Sequence, residues 1–79
     1  MSKNFFENLT ADERAELAKL VKPLRQAGGL TKKVVYDEAG ISRQTLDNIE
    51  NGITVPQADV LKRVLEVVGH EVDEPEFGP

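Results

Sequence analysis

The stretch that decides the fold runs from Thr31 to Gly52 and reads TKKVVYDEAGISRQTLDNIENG. Val34 and Val35 supply apolar side chains in its first half, and Gly40 follows them. Glycine takes a left-handed backbone conformation without steric cost, which is how many helices end. The pattern therefore predicts one helix that stops at Gly40 and a second helix that starts after a tight turn.

The second half of this stretch has the features of a short, capped helix. Ser42 can accept a hydrogen bond from an amide two or three residues further on, as helix-capping residues do. Leu46 and Ile49 recur three residues apart on one face, and a glycine follows that can end the helix. Two helices joined by three or four residues have helix-turn-helix spacing. We place this motif at residues 31–52 and its second helix at residues 42–51.

The outward face of the second helix is polar. Arginine can reach two acceptors on guanine, and glutamine or asparagine can make two hydrogen bonds to adenine. Residues near the N-terminus of a recognition helix are the ones that meet base edges. An ordinary amphipathic helix with a solvated face has the same periodicity, so periodicity alone leaves both interpretations open. The candidate base-contacting residues are Arg43, Gln44, Thr45 and Asn48, with Asp47 as a further polar residue on this face.

The run from Leu30 to Gly52 resembles the helix-turn-helix family of Cro and Xre regulators, which has the phage-repressor-like fold. The resemblance is most specific from Ala39 onward, where AGISRQTL is followed, after two further residues, by IENG. More loosely, it extends from about Asp12 to Val68. It implies an all-α, lambda-repressor-like fold, a compact bundle of four to five helices that contains the motif.

The resemblance implies roles for individual residues. In the family, the positions that match Arg43, Gln44 and Asn48 commonly read bases, and the position that matches Lys32 commonly meets a phosphate. A late arginine of the first helix often pairs with the glutamate of the IENG run, and the matching residues here are Arg25 and Glu50. The candidate phosphate contacts are Lys32, Lys33, Ser42, Asn51 and Arg25, and the residues expected to be structural are Gly40, Glu50 and Tyr36.

Two features depart from the family pattern. Tyr36 stands where a small residue usually lets the two motif helices approach, so it must splay them, fill a gap sideways, or send its hydroxyl to solvent or to a phosphate. The loop after the second helix, residues 53–57, lacks the Lys or Arg that often grips the DNA backbone. Backbone amides near Asn51 and Gly52 are the remaining candidates for that contact.

The residues around the motif predict supporting helices. Thr10 and Glu13 have the spacing of a capping box, and Pro23 predicts a kink near residues 19–22 rather than two separate helices. Gly28 and Gly29 end this first helix. The buried stripe of the first helix is predicted to contain Leu17, Leu20, Val21 and Leu24. That of the last helix, at residues 57–68, is predicted to contain Val60, Leu61, Val64, Leu65 and Val68.

The ends of the chain leave alternatives open. We expect a leader at residues 1–9, the DNA-binding domain at 10–69 and an acidic tail at 70–79. Phe5 and Phe6 are adjacent, so one can pack on the core while the other is half exposed, or both can contact a partner protein. The tail is expected to be disordered or loosely packed, or to act as a dimer clasp, or as an acidic strand that competes with DNA. Val72 and Phe77 could dock on the body or on a second subunit.

Charge is unevenly distributed along the chain. The net charge is −4, whereas DNA-binding domains are usually basic. Residues 19–45 nevertheless carry six basic residues against two acids, and residues 70–79 carry four acids without Lys or Arg. Charges further apart than about 8–10 Å are largely screened at physiological salt, so the local basic segment decides the attraction. The acidic total predicts weaker non-specific affinity for DNA.

Composition and motifs exclude several classes. Seventy-nine residues without cysteine predict one small domain with no disulfide and no thiolate metal site, which fits a reducing cytoplasm. No apolar run approaches the roughly 20 residues of a membrane span, and no signal-peptide core is present. The acids Asp12, Glu13 and Glu16 fit the start of a helix better than a catalytic or metal site. We therefore expect no enzyme, no catalytic residue and no cofactor.

These observations predict a regulator that binds double-stranded DNA. The resemblance implies a repressor of phage or mobile-element type that occludes a palindromic operator as a homodimer. The alternative is an antitoxin-like module whose main partner is a toxin protein, bound through Phe5, Phe6 or the tail, with DNA binding reserved for autoregulation.

Overall fold

Five short α-helices form the described part of the chain. The structure is a computed structural model that describes residues 6–69, so the expectations for Phe5 and for residues 70–79 lie outside it. No strand occurs within the described range, which confirms the all-α bundle. A short 3-10 helix at Phe6–Asn8 precedes α1 (Ala11–Ala18), α2 (Val21–Ala27), α3 (Lys32–Ala39), α4 (Arg43–Glu50) and α5 (Ala58–Val67).

Side chains cap three of the helix starts, and the caps at Thr10 and Ser42 agree with the sequence analysis. Thr10 Oγ1 accepts a hydrogen bond from the Glu13 amide at 3.1 Å, and the Glu13 carboxylate accepts one from the Thr10 amide at 2.9 Å. Thr31 and Ser42 cap α3 and α4 by accepting from the amide three residues further on, at 3.2 and 3.0 Å. Each cap satisfies donors that a helix start leaves unpaired.

The expectation of one kinked first helix is wrong. The chain forms two helices, and Lys19 and Leu20 separate α1 from α2. Pro23 is the third residue of α2, where a helix has no intrahelical partner for an amide in any case. The missing N–H of proline therefore costs nothing at this position, and Pro23 is accommodated in a first turn instead of kinking a helix interior.

The core lies between α5 and the other helices. The long face of α5 packs against α3, α1 and the 3-10 helix, while α3 and α2 both contact α4. Burial of apolar side chains is the main force that holds these short helices together. The buried apolar residues are Phe6, Ala18, Val21, Val35, Ala39, Leu46, Ile49, Leu61, Val64, Leu65 and Val68.

Three side chains refine the sequence-based interpretation. Leu20 is 38% exposed, so it does not belong to the buried stripe, and Val34 is 42% exposed although its neighbour Val35 is fully buried. Phe6 is only 4% exposed and packs in the core. Of the two alternatives for the adjacent phenylalanines, the burial of Phe6 fits packing on the core.

Candidate nucleic-acid interface

The turn between α3 and α4 has the predicted left-handed glycine. Gly40 ends α3 with φ 73° and ψ 34°, a conformation that other residues adopt only with strain. The amide of Ile41 then donates to the carbonyl of Tyr36 at 3.0 Å, which closes the turn, and the Ile41 side chain packs against the core. Ser42 follows as the cap of α4, so three residues fix the relation of the two helices.

Tyr36 is half-buried and packs against the core cluster. The buried face of α3 is formed by Val35 and Ala39, which are 0% and 1% exposed. Because α3 and α4 remain in contact, the tyrosine does not push the motif helices apart. The half-buried side chain fits the alternative in which Tyr36 fills a gap sideways.

A buried ion pair fastens the end of α4 to α2. Arg25 Nε donates to Glu50 Oε2 at 2.7 Å, Nη2 donates to Oε1 at 3.1 Å, and Nη1 donates to the Leu30 carbonyl at 3.1 Å. The Arg25 and Glu50 side chains are only 10% and 2% exposed. The pair that the resemblance implies is thus present. Since the guanidinium is buried and each of its three nitrogens donates a hydrogen bond, we do not retain Arg25 among the proposed phosphate contacts.

The candidate base-contacting residues share the outer face of α4. Arg43 and Gln44 are exposed, and the Arg43 side chain is 73% exposed. Thr45 and Asn48 are half-buried, and Gln44 Nε2 donates to Asn48 Oδ1 at 3.3 Å. The opposite face carries Leu46 and Ile49 into the core, so α4 presents a polar surface from a fixed support.

Asp47 joins the two motif helices through its carboxylate. Lys32 Nζ of α3 donates to Asp47 Oδ1 at 2.9 Å, and Arg43 Nε lies 3.9 Å from Asp47 Oδ2. The hydrogen bond from Lys32 lowers the pKa of Asp47, with smaller contributions from the charges of Lys32, Arg43 and Arg25 against a desolvation effect that raises it. Asp47 thus stays ionised between two of the candidate DNA contacts.

Lys33 has a different partner. Its Nζ donates to Asp37 Oδ2 at 2.7 Å within α3, and both side chains are well exposed. The hydrogen bond and the charge of Asp37 raise the pKa of Lys33. Lys33 therefore remains charged and accessible at the surface.

The backbone amides after α4 are not free for phosphate. The amide of Asn51 donates to the Asp47 carbonyl at 2.9 Å, and that of Gly52 donates to the Ile49 carbonyl at 3.2 Å. These bonds close the helix end, so the expectation that these two amides serve the DNA backbone is wrong. The exposed side chain of Asn51 remains a candidate, as does Ser42 at the other end of α4.

Sequence reasoning missed two residues that shape this surface. Asp47 was recognised only as polar, although its spacing of four from Arg43 was a signal for a helical ion pair. Arg14 of α1 donates to the Pro56 carbonyl at 3.0 Å and to the Leu9 carbonyl at 3.1 Å, which anchors the loop that follows α4. No local sequence pattern predicts a hydrogen bond between residues 42 positions apart.

Membrane-spanning helices and clusters of metal-binding side chains are both absent from residues 6–69. No helix in that range is long and apolar enough to cross a membrane. The same part of the chain contains no group of three or more His, Cys, Asp or Glu side chains that could hold a metal ion.

The turn, the capped α4 and its polar outer face define a helix-turn-helix protein. A family profile described as a helix-turn-helix domain matches residues 16–76, and the chain belongs to this Cro/Xre-like family. The chain is therefore a DNA-binding regulator in the general sense, and members of this family are typically not enzymes. Searches of curated proteins and of solved structures returned no significant match.

Proposed function

We propose that this protein is a sequence-specific repressor that binds an operator in double-stranded DNA and occludes the promoter. The observation that carries the proposal is the polar outer face of α4, held from behind by core packing and by the buried Arg25–Glu50 pair. A recognition helix reads bases well when its position is fixed by the scaffold rather than by the DNA.

Base contacts would come from the four polar residues of α4, and phosphate contacts from its rim. Arg43 has the reach and the exposure for guanine, while Gln44 and Asn48 suit adenine. Lys32, Lys33, Ser42 and Asn51 would meet the backbone and fix the register, as phosphate contacts do. The loop after α4 adds no cation, so these few contacts would carry the attraction.

We expect a homodimer on a palindromic operator, because one short recognition helix such as α4 contacts too few base pairs for a specific site. A single helix reads few base pairs, and dimers with this motif place two recognition helices about 34–36 Å apart on half-sites one helical turn apart. The expected operator is therefore a palindrome whose half-sites are about 10 base pairs apart, centre to centre. A phage or mobile-element source agrees with the family resemblance.

Selection of bound duplexes from a random DNA pool tests the proposal. We expect enrichment of a palindrome, and affinity for the winning duplex that falls steeply with salt. Replacing Arg43 or Gln44 by alanine should weaken binding to that duplex by roughly 1–3 kcal/mol each and relax the preference at one base position.

A matched control is Arg63→Ala, which removes an exposed arginine of α5 that lies 3.8 Å from Asp59. It changes the net charge as Arg43→Ala does, yet it lies on a different helix, so its effect on affinity should be small and equal for all sequences. Equal binding of all duplexes by the wild type and by both α4 variants would contradict the proposal.

Within residues 6–69, the burial of Phe6 gives the antitoxin alternative no support. That alternative depended on Phe5, Phe6 and the tail, and Phe6 is buried in the core. Failure of the DNA selection would make a search for a protein partner the next experiment.

A further inference from the structure

Asp47 is an acid on the face that a polyanion would approach. Its carboxylate accepts a hydrogen bond from Lys32 Nζ at 2.9 Å and lies 3.9 Å from Arg43 Nε. The Lys32 and Asp47 side chains are 41% and 29% exposed, and they belong to the two different helices of the motif. The ammonium group of Lys32, a proposed phosphate contact, is therefore already paired within the protein.

We propose that Asp47 is an intramolecular counterion that competes with DNA phosphate for Lys32. The inference rests on the proposed function, because it takes Lys32 as a backbone contact. Binding of a phosphate must then loosen the bond from Lys32 to Asp47, which lowers affinity for every duplex regardless of its sequence. Base contacts made by Gln44 and Asn48 consequently supply a larger share of the total binding.

Asp37 provides a contrast within the same protein. It pairs with Lys33 at 2.7 Å, but both residues belong to α3 and their side chains are 74% and 52% exposed. Exposed ion pairs one helical turn apart exchange readily with water and salt and contribute little. Lys33 is therefore available with or without Asp37, whereas Lys32 is held across two helices. Asp37→Asn is the matched control for Asp47→Asn, since both remove one negative charge beside a lysine.

The experiment measures affinity for a random-sequence duplex across a salt series. Asp47→Asn should bind about tenfold more tightly than the wild type at low salt. The salt dependence of its log K should be steeper by up to about 0.9, the limit for one phosphate contact that Asp47 no longer weakens. The affinity of Asp37→Asn for the same duplex should rise by less than about threefold. In a Lys32→Gln background, the gain from Asp47→Asn should also fall below about threefold. Circular dichroism verifies that each variant is helical.

Two outcomes would overturn the inference. Equal gains for Asp47→Asn and Asp37→Asn would mean that only total charge matters. A gain that persists in Lys32→Gln would mean that Asp47 repels DNA directly instead of competing for the lysine.

A measurement without DNA separates this inference from the proposed function. Lys32→Gln should raise the pKa of Asp47, followed by NMR, because Lys32 is the main cause of its lowered value. An unchanged pKa would show that the pair is absent in solution and would also overturn the inference. A wild type that binds neither selected nor random duplexes at low salt contradicts the proposed function, whereas a tight-binding wild type with equal gains in both variants contradicts this inference alone.

Discussion

At the scale of single residues, the position of α4 depends on the Arg25–Glu50 pair. Both charged groups are almost removed from water, which is costly unless their hydrogen bonds are satisfied. Two bonds between the charged groups and a third to the Leu30 carbonyl meet that requirement. Loss of one partner would leave the other charge buried and unpaired, so the pair is a sensitive point of the fold.

We expect Glu50→Ala to lower the free energy of unfolding by about 3–5 kcal/mol, the usual cost of breaking a buried ion pair. Urea denaturation followed by circular dichroism measures it. Glu16→Ala is the control, because Glu16 pairs with Lys19 on the surface of α1 with side chains about 70% exposed and should cost less than about 1 kcal/mol. Similar losses for the two variants would contradict the structural role of Glu50.

Whether a contact could be predicted from the sequence depends on how many residues separate its partners along the chain. The caps at Thr10 and Ser42 and the turn at Gly40 were predicted because their partners lie within three or four residues. The Arg25–Glu50 pair, 25 residues apart, followed from the family resemblance and not from local pattern. The bond from Arg14 to the Pro56 carbonyl had neither signal, so it was missed.

At the scale of elements, the break between α1 and α2 shows how packing chooses among local options. A proline allows a kink within a helix or a position in the first turn of a new one. Ala18 and Val21, on either side of the break, are 5% and 0% exposed, so both helix ends are held by the core. The local sequence does not contain that information, and this is why the kink prediction failed.

We expect Pro23→Ala to change the free energy of unfolding by less than about 1 kcal/mol, because Pro23 removes no helical hydrogen bond in a first turn. Helix content by circular dichroism should stay the same, since α1 and α2 are kept apart by packing. The comparison is Glu16→Pro in the middle of α1, which should cost about 3 kcal/mol or more. A clear gain of helix content in Pro23→Ala would show that the proline itself causes the break.

At the scale of the whole molecule, ion pairs make the DNA-binding surface less positive than the sequence count of charges indicates. The segment 19–45 is basic by count, but most of its cations lie within ion-pair distance of an acid. Lys32 and Arg43 share Asp47, Lys33 pairs with Asp37, and Arg25 is buried with Glu50. Counting charges along the sequence predicted a basic surface, whereas the three-dimensional pairing reduces the field that a distant phosphate experiences.

Because the paired cations attract DNA less than their number indicates, repulsion between DNA and the four acids of residues 70–79 has a larger effect on affinity. The chain has 10 basic and 14 acidic residues, so these four account for the whole net charge of −4. We expect the variant with Glu71→Gln, Asp73→Asn, Glu74→Gln and Glu76→Gln to bind a random-sequence duplex about three- to tenfold more tightly at low salt. The gain should disappear near 1 M salt, where screening acts within about 3 Å.

Truncation after Gly69 separates charge from contact, because it removes the same acids together with Val72 and Phe77. If repulsion is the only effect of the tail, the truncated and the neutralised chains should bind the duplex equally and unfold at the same urea concentration. A truncated chain that binds more tightly than the neutralised one would show that the tail also covers the DNA-binding face through its apolar residues. A neutralised chain with unchanged affinity would contradict the electrostatic argument, and the pairing of cations inside the bundle would then account for weak non-specific binding on its own.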